Sequence, residues 1–86
     1  MPASMIVFAT SASRHGFELD DVTYAYQHII RRRVMQHDGE TYIKFTGRHH
    51  GDPLVPSIEV MMKHAADGRV IVFHVNAEQG NFWDKD

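Results

Sequence analysis

Residues 34–45 read VMQHDGETYIKF, and this stretch decides the fold. Its side chains follow a period of two on both sides of Asp38-Gly39, which is the period of a β-strand. Asp-Gly is one of the strongest two-residue hairpin signals, because both central positions of such a turn need a positive φ. The stretch therefore predicts two antiparallel strands, at 34–37 and 41–45, joined by a tight turn.

Two further strands are expected after this hairpin. Residues 47–56 contain two glycines and two prolines and predict a loop, because proline cannot donate to a strand ladder. Residues 57–64 predict the third strand, although their C-terminal half suits a helix as well. The turn signal Asp67-Gly68 favours the strand, because a hairpin needs two arms, and residues 69–75 predict the second arm.

The residues upstream of the hairpin predict one short strand followed by helical segments. Residues 5–9 predict a short apolar strand, and residues 10–14 predict a turn or short helix that ends at Gly16. A longer helix is expected from Asp20 to Arg31, because apolar residues recur there at spacings of three and four. Its apolar face comprises Val22, Ala25, Tyr26, Ile29 and Ile30, with Asp20 or Asp21 as the cap and arginines from Arg31 onward at the carbonyl end.

These elements predict one α+β domain over residues 1–86, with N-terminal helices packed on a roughly four-stranded antiparallel meander. One face of the sheet should carry the core, and the other face should stay open. We also expect the apolar tail residues Phe82 and Trp83 to be docked on another surface. The predicted core comprises Val22, Tyr26, Ile29, Ile43, Phe45, Ile58, Val60 and Met62.

Composition and charge exclude several classes of protein. The chain is 43% apolar and 23% charged, as soluble globular domains are, and it has no cysteine for disulfides or thiolate zinc sites. No apolar run reaches the 18 to 20 residues of a membrane span, so a cytoplasmic protein is expected. The net charge is −2, but residues 28–50 carry five Arg or Lys against two Asp or Glu, a net +3. This stretch is either a basic patch or a solvated surface.

Seven histidines in 86 residues suggest proton-transfer chemistry. Two of them, His49 and His50, are adjacent, and neighbouring residues on a strand point to opposite faces, so we expect no shared metal and no cofactor. RNA cleavage needs no metal when a base, an acid and a cation are in place. Glu59 and His74 lie on strands from which both can project on the open face, although each also suits a purely structural role.

Several short motifs follow one another in an order that resembles a known family. They are Arg14-His15-Gly16-Phe17-Glu18 before an acidic helix start, Thr46-Gly47-Arg48, Ile58-Glu59-Val60 and Phe73-His74-Val75. Together they resemble BrnT-like toxins and related small bacterial proteins, over roughly residues 14–75. The resemblance implies a RelE/ParE-like fold. It also implies that the chain is the toxin of a type II toxin–antitoxin system, which cuts RNA and is neutralised by a cognate antitoxin.

The leading hypothesis is therefore a toxin with ribonuclease activity and with RNA and an antitoxin as its partners. The resemblance carries functional roles to Arg14, His15, Arg48, Glu59 and His74. The full candidate set is catalytic His49, His50, His74 and Glu59, with RNA contacts by Arg14, His15, Arg31, Arg33 and Arg48. The alternatives are a non-catalytic protein-binding module, whose open sheet and aromatic tail dock a partner, an inactive toxin relative and, more distantly, a metal-dependent enzyme.

Overall fold

The computed structural model describes residues 6–84, which form a five-stranded mixed sheet, one α-helix and two short 3₁₀ helices. The α-helix, α1, spans Leu19–Gln27, and the 3₁₀ helices span Thr10–His15 and Phe82–Asp84. The strands are β1 (Ile6–Phe8), β2 (Ile29–His37), β3 (Glu40–Arg48), β4 (Ser57–His64) and β5 (Val70–Ala77).

The strand order in the sheet is β1-β5-β4-β3-β2. Strands β2 to β5 form an antiparallel meander, and β1 pairs in parallel with the outer edge of β5. The α+β class and the four predicted antiparallel strands are confirmed. The sheet is mixed because β1, predicted as a separate strand, joins it as a fifth; Met5, its predicted first residue, lies outside the described residues.

The turn residues have the backbone conformations that their sequence predicts. Asp38 and Gly39 have φ values of 51° and 78°, and the ladder closes with His37 opposite Glu40. Gly16, at φ 83°, terminates the first 3₁₀ helix, and Gly68, at φ 93°, lies in the turn before β5. At Gly16, Gly39 and Gly68 the positive φ has no steric cost, because glycine lacks a Cβ.

The predicted helix over residues 20–31 is wrong at both ends. Helix α1 ends at Gln27, because Ile29 and the residues after it pair with β3 as part of β2. The β-branched Ile29 and Ile30 fit a strand at least as well as a helix. Ile29 pairs with Gly47, and Ile30 is the extra residue of an irregularity before Arg31 pairs with Thr46. At the start of α1 the cap is Glu18, whose N–H donates to the Asp21 carboxylate over 2.8 Å.

The core lies between α1 and one face of the sheet. Five of the eight predicted core residues are buried, namely Val22, Phe45, Ile58, Val60 and Met62. Ile29 and Ile43 are partly buried against them. Tyr26 is 48% exposed, against prediction, because α1 packs on the sheet through Val22 and Ala25 and leaves Tyr26 on its flank. Within residues 6–84, no helix has the length and apolar character needed to cross a lipid bilayer.

Candidate active site on the far face of the sheet

The strand register arranges polar side chains in two neighbouring rows on the side of the sheet away from α1, which we call the far face. Each row crosses β2, β3, β4 and β5 in turn. Side chains at paired positions of adjacent strands share a face and lie close together. The first row is Arg31, Thr46, Glu59 and Asn76, and the second is Arg33, Lys44, Met61 and His74.

Glu59 and His74 form a direct pair where these rows meet. The His74 Nε2 lies 2.6 Å from the Glu59 Oε2, and the other carboxylate oxygen accepts the Gln79 backbone N–H over 2.7 Å. The Glu59 side chain is 5% exposed, whereas the His74 side chain is 32% exposed. The carboxylate is therefore fixed beneath the surface, and the imidazole extends from it toward solvent.

This pair selects one form of the imidazole. An ionised carboxylate only accepts hydrogen bonds, so the His74 Nε2 carries the proton that it donates to Glu59. In the neutral ring Nδ1 then has a free lone pair. No hydrogen bond to this Nδ1 occurs among residues 6–84. A carboxylate that orients a histidine in this way prepares its second nitrogen to take a proton from a substrate.

A β-bulge in β5 brings His74 to the far face. Met61 pairs with His74, but the next residue, Met62, pairs with Val72, so Phe73 is the extra residue. Val72 and Val75 both remain in the core, and the two residues between them both lie on the far face. Strict alternation from Val72 would place His74 in the core instead. Bulges of this kind re-aim side chains next to active sites.

A second histidine lies beside this pair. His15 ends the first 3₁₀ helix and is exposed, and its ring centroid is 6.4 Å from that of His74 in an edge-on arrangement. The helix is anchored by buried Ala12 and by the Ser11 hydroxyl, which donates to the Phe73 carbonyl oxygen over 2.7 Å. Arg14, also exposed, precedes His15. Two imidazoles are thus brought together at one end of the far face.

The far face is not fully open, because the C-terminal segment 78–84 covers part of it. Phe82 is buried, and its ring lies nearly parallel to that of His74 at 6.2 Å. The Lys44 Nζ lies 4.6 Å from the Phe82 ring, and the Arg31 guanidinium lies 4.3 Å from the Trp83 ring. The expectation that the tail is docked is confirmed, and its contacts include cation–π interactions with the chain's own sheet.

His49 and His50 are placed against α1 rather than beside Glu59 and His74. The His49 Nε2 lies 3.1 Å from the Asp21 carboxylate, and its Nδ1 lies 2.9 Å from the Val55 carbonyl oxygen. The His49 side chain is only 5% exposed. Through Nε2 the ring therefore ties the loop to the start of α1, and through Nδ1 it ties the two ends of the loop together. His50 is exposed and lies against Tyr24, at 4.2 Å between ring centroids.

Replacing His49 by Ala is expected to lower the free energy of unfolding by about 1–3 kcal/mol, because it removes a buried ring and two hydrogen bonds to partly buried partners. Urea denaturation monitored by Trp83 fluorescence measures this loss. The matched control is His50→Ala, which should change stability by no more than about 0.5 kcal/mol because its side chain is exposed. Equal stability of the two variants would show that His49 does not anchor the loop.

Sequence reasoning missed three contributors to this site. Lys44 was counted only in the net charge of residues 28–50, yet it lies in the same row as His74 and is 3% exposed. Two contacts come from the tail: the Gln79 backbone N–H donates to Glu59, and the Phe82 ring lies nearly parallel to that of His74. The alternating pattern of β3 contained the signal for Lys44. A backbone donor has no sequence signal, and the tail's docking site is not encoded in the tail itself.

Two further observations bear on the chemistry. Among residues 6–84, no three His, Asp or Glu side chains are grouped as metal ligands. The Thr46 hydroxyl, next to Glu59 in the first row, is buried and has no hydrogen-bond partner within that range.

Comparison of the chain with protein-family models, curated proteins and solved structures finds no match.

Proposed function

We propose that this chain is a metal-independent ribonuclease and the toxin of a type II toxin–antitoxin pair, with the RelE/ParE-like fold that its resemblance to BrnT-like toxins implies. The observation that carries the proposal is the Glu59–His74 pair, with its carboxylate buried, its imidazole partly exposed and a second imidazole, His15, next to it. Two histidines with one orienting carboxylate supply the base and the acid that cleavage of a phosphodiester requires.

In the proposed reaction His74 is the general base and His15 the general acid. The His74 Nδ1 takes the proton of a ribose 2′-hydroxyl, whose oxygen forms a bond to the adjacent phosphorus. The bond from phosphorus to the 5′-oxygen breaks, and protonated His15 donates its proton to that leaving oxygen. The products are a 2′,3′-cyclic phosphate and a 5′-hydroxyl. Glu59 is a positioning residue, because it acts through His74.

Cationic side chains of the far face are suited to the substrate's negative charge. Arg31 and Arg33 occupy the same two rows as Glu59 and His74, and Arg14 precedes His15 in the chain. Lys44, in the second row, is buried with its Nζ against the Phe82 ring. A cation near the phosphate stabilises the charge that develops in the transition state. Arg48, at the exposed end of β3, remains a candidate for contact with the RNA backbone outside the reacting group.

Exposed apolar side chains favour the protein-binding alternative. Three large apolar side chains on α1 and β2 are about half exposed, namely Tyr26 at 48%, Ile30 at 54% and Val34 at 50%. Exposed apolar groups of this size are common at protein interfaces. In the toxin proposal they contribute to the contact with the antitoxin, and in the alternative they serve a binding module without catalysis.

Tightly controlled induction of the chain alone in a bacterial host tests the proposal. We expect rapid growth arrest with cleavage of cellular RNA, as a ribonuclease in the cytoplasm produces, and relief of both effects in a His74→Ala variant at equal expression. Arrest with intact RNA would reject the ribonuclease and point to another target. Normal growth with soluble protein present would favour the binding module or an inactive relative.

A further inference from the structure

A cavity of about 480 Å³ lies on the far face next to the Glu59–His74 pair. Phe73 lines it and precedes His74 in the bulge, and Met61 lines it and pairs with His74 across the strands. Its lining also includes Met35, Tyr42 and Lys44. Volumes of 300–1,000 Å³ are typical of small-molecule sites. The cavity therefore has room for one small ligand adjacent to the proposed catalytic histidine.

The lining of this cavity suits a flat aromatic ring. Tyr42 and Phe73 meet edge to face with their ring centroids 6.3 Å apart, and methionine sulfur atoms adapt well to aromatic ligands. One cation, Lys44, lines the cavity. A second, Lys63, lies beside it, with its Nζ 5.9 Å from the centre of the Tyr42 ring and 3.4 Å from the Glu40 carboxylate. An aromatic group that carries negative charge fits this combination better than a neutral apolar ligand does.

We propose that this cavity binds a nucleobase, with the attached phosphate near Lys44 and His74. The inference rests on the proposed ribonuclease function and adds to it a subsite that selects the base beside the cleaved bond. Bases stack on aromatic side chains in single-stranded nucleic acid sites, whereas the phosphate is attracted by lysine. Phe73 and His74 are neighbours in one bulge. A base held by Phe73 therefore places its phosphate within reach of His74.

Nucleotide titration followed by two-dimensional amide NMR tests the subsite. The probes are AMP and UMP, with ribose 5-phosphate as the control that lacks a base. We expect one or both nucleotides to shift the amide signals of Met35, Tyr42 and Phe73, and to bind about tenfold more tightly than ribose 5-phosphate. Equal affinity for all three probes would mean that phosphate alone is bound and would overturn the proposal, as would shifts confined to other residues.

Two variants test the same site independently. Tyr42→Leu should weaken nucleotide binding about tenfold by removing the stacked ring, and Met35→Glu, on the edge strand β2, should weaken it by repelling the phosphate. The control is Tyr24→Leu. The Tyr24 ring lies against His28 and His50, so this variant should bind nucleotide as the natural chain does. Unchanged binding in a folded Tyr42→Leu or Met35→Glu protein would contradict the subsite.

The His74→Ala variant separates this inference from the proposed function. It should still bind nucleotide, with some loss of affinity from the phosphate contact, because Tyr42 and Phe73, which hold the base, line the cavity unchanged. Nucleotide binding without RNA cleavage by the natural chain would keep the subsite and reject the ribonuclease. If the natural chain and Tyr42→Leu both cleaved RNA with the same base preference and the same KM, the ribonuclease would stand and the subsite would be rejected.

Discussion

Replacing His74 by Ala is expected to lower the rate constant for RNA cleavage by about 100- to 10,000-fold, the usual contribution of a positioned general base. KM should change little, because the cations that attract RNA remain in place. Glu59→Gln should cause a smaller loss of rate, because it keeps the shape of the side chain but weakens its control of the imidazole. Initial rates with a fluorescent oligoribonucleotide measure both effects.

Exposed histidines that lie elsewhere provide the controls for this experiment. His28 and His50 both contact Tyr24 on α1, and replacing either by Ala should leave the cleavage rate within about twofold, because surface changes away from a site have small effects. If His50→Ala removed cleavage while His74→Ala, still folded, retained it, the reacting group would lie in the loop after β3. The assignment of His74 as the base would then be wrong.

The second large effect concerns folding and follows from Gly47 in β3. A Cβ added at this position would lie 2.2 Å from the Ala25 carbonyl oxygen and 2.8 Å from the Ala25 Cα, both of which belong to the backbone of α1. The helix must then move off the sheet. Gly47→Ala is expected to cost about 3 kcal/mol or more, at the upper end of overpacking effects. That is a large fraction of the roughly 5–15 kcal/mol that stabilises a typical domain.

Gly80→Ala is the matched control for this substitution. A Cβ at Gly80 meets no atom within 4 Å, so stability should change by no more than about 0.5 kcal/mol. Urea midpoints of the three proteins, measured by circular dichroism, give the comparison. A Gly47→Ala protein as stable as the Gly80→Ala protein would show that α1 does not pack this closely on β3.

The strands and turns were predictable because their signals are local. Asp38-Gly39 reverses the chain through two positive φ values, and Asp67-Gly68 does so through Gly68 and the Asp67 carboxylate, which accepts from the Arg69 backbone N–H; the arms on either side of each turn then pair. The end of α1 was not predictable in this way. Ile29 and Ile30 fit the apolar face of a helix by spacing, and only the pairing of Ile29 with Gly47 and of Arg31 with Thr46, in β3, makes them part of a strand.

The same contrast applies to the candidate site. Alternation along β4 predicted that Glu59 faces away from the core, and this is how it comes to meet His74. The sequence did not distinguish His49 from His74, because the Asp21 partner that binds His49 lies 28 residues away. Nor does it encode the bulge at Phe73, which depends on how β5 pairs with β4.

The measurement that tests the central claim most directly is cleavage of RNA by the purified chain in excess EDTA, with the ends of the products identified. We predict fragments that carry 2′,3′-cyclic phosphates and 5′-hydroxyls, formed by the natural chain but not by His74→Ala. Failure to cleave RNA, or cleavage only after Mg²⁺ is added, would contradict the assignment of the Glu59–His74 pair to metal-independent ribonuclease chemistry.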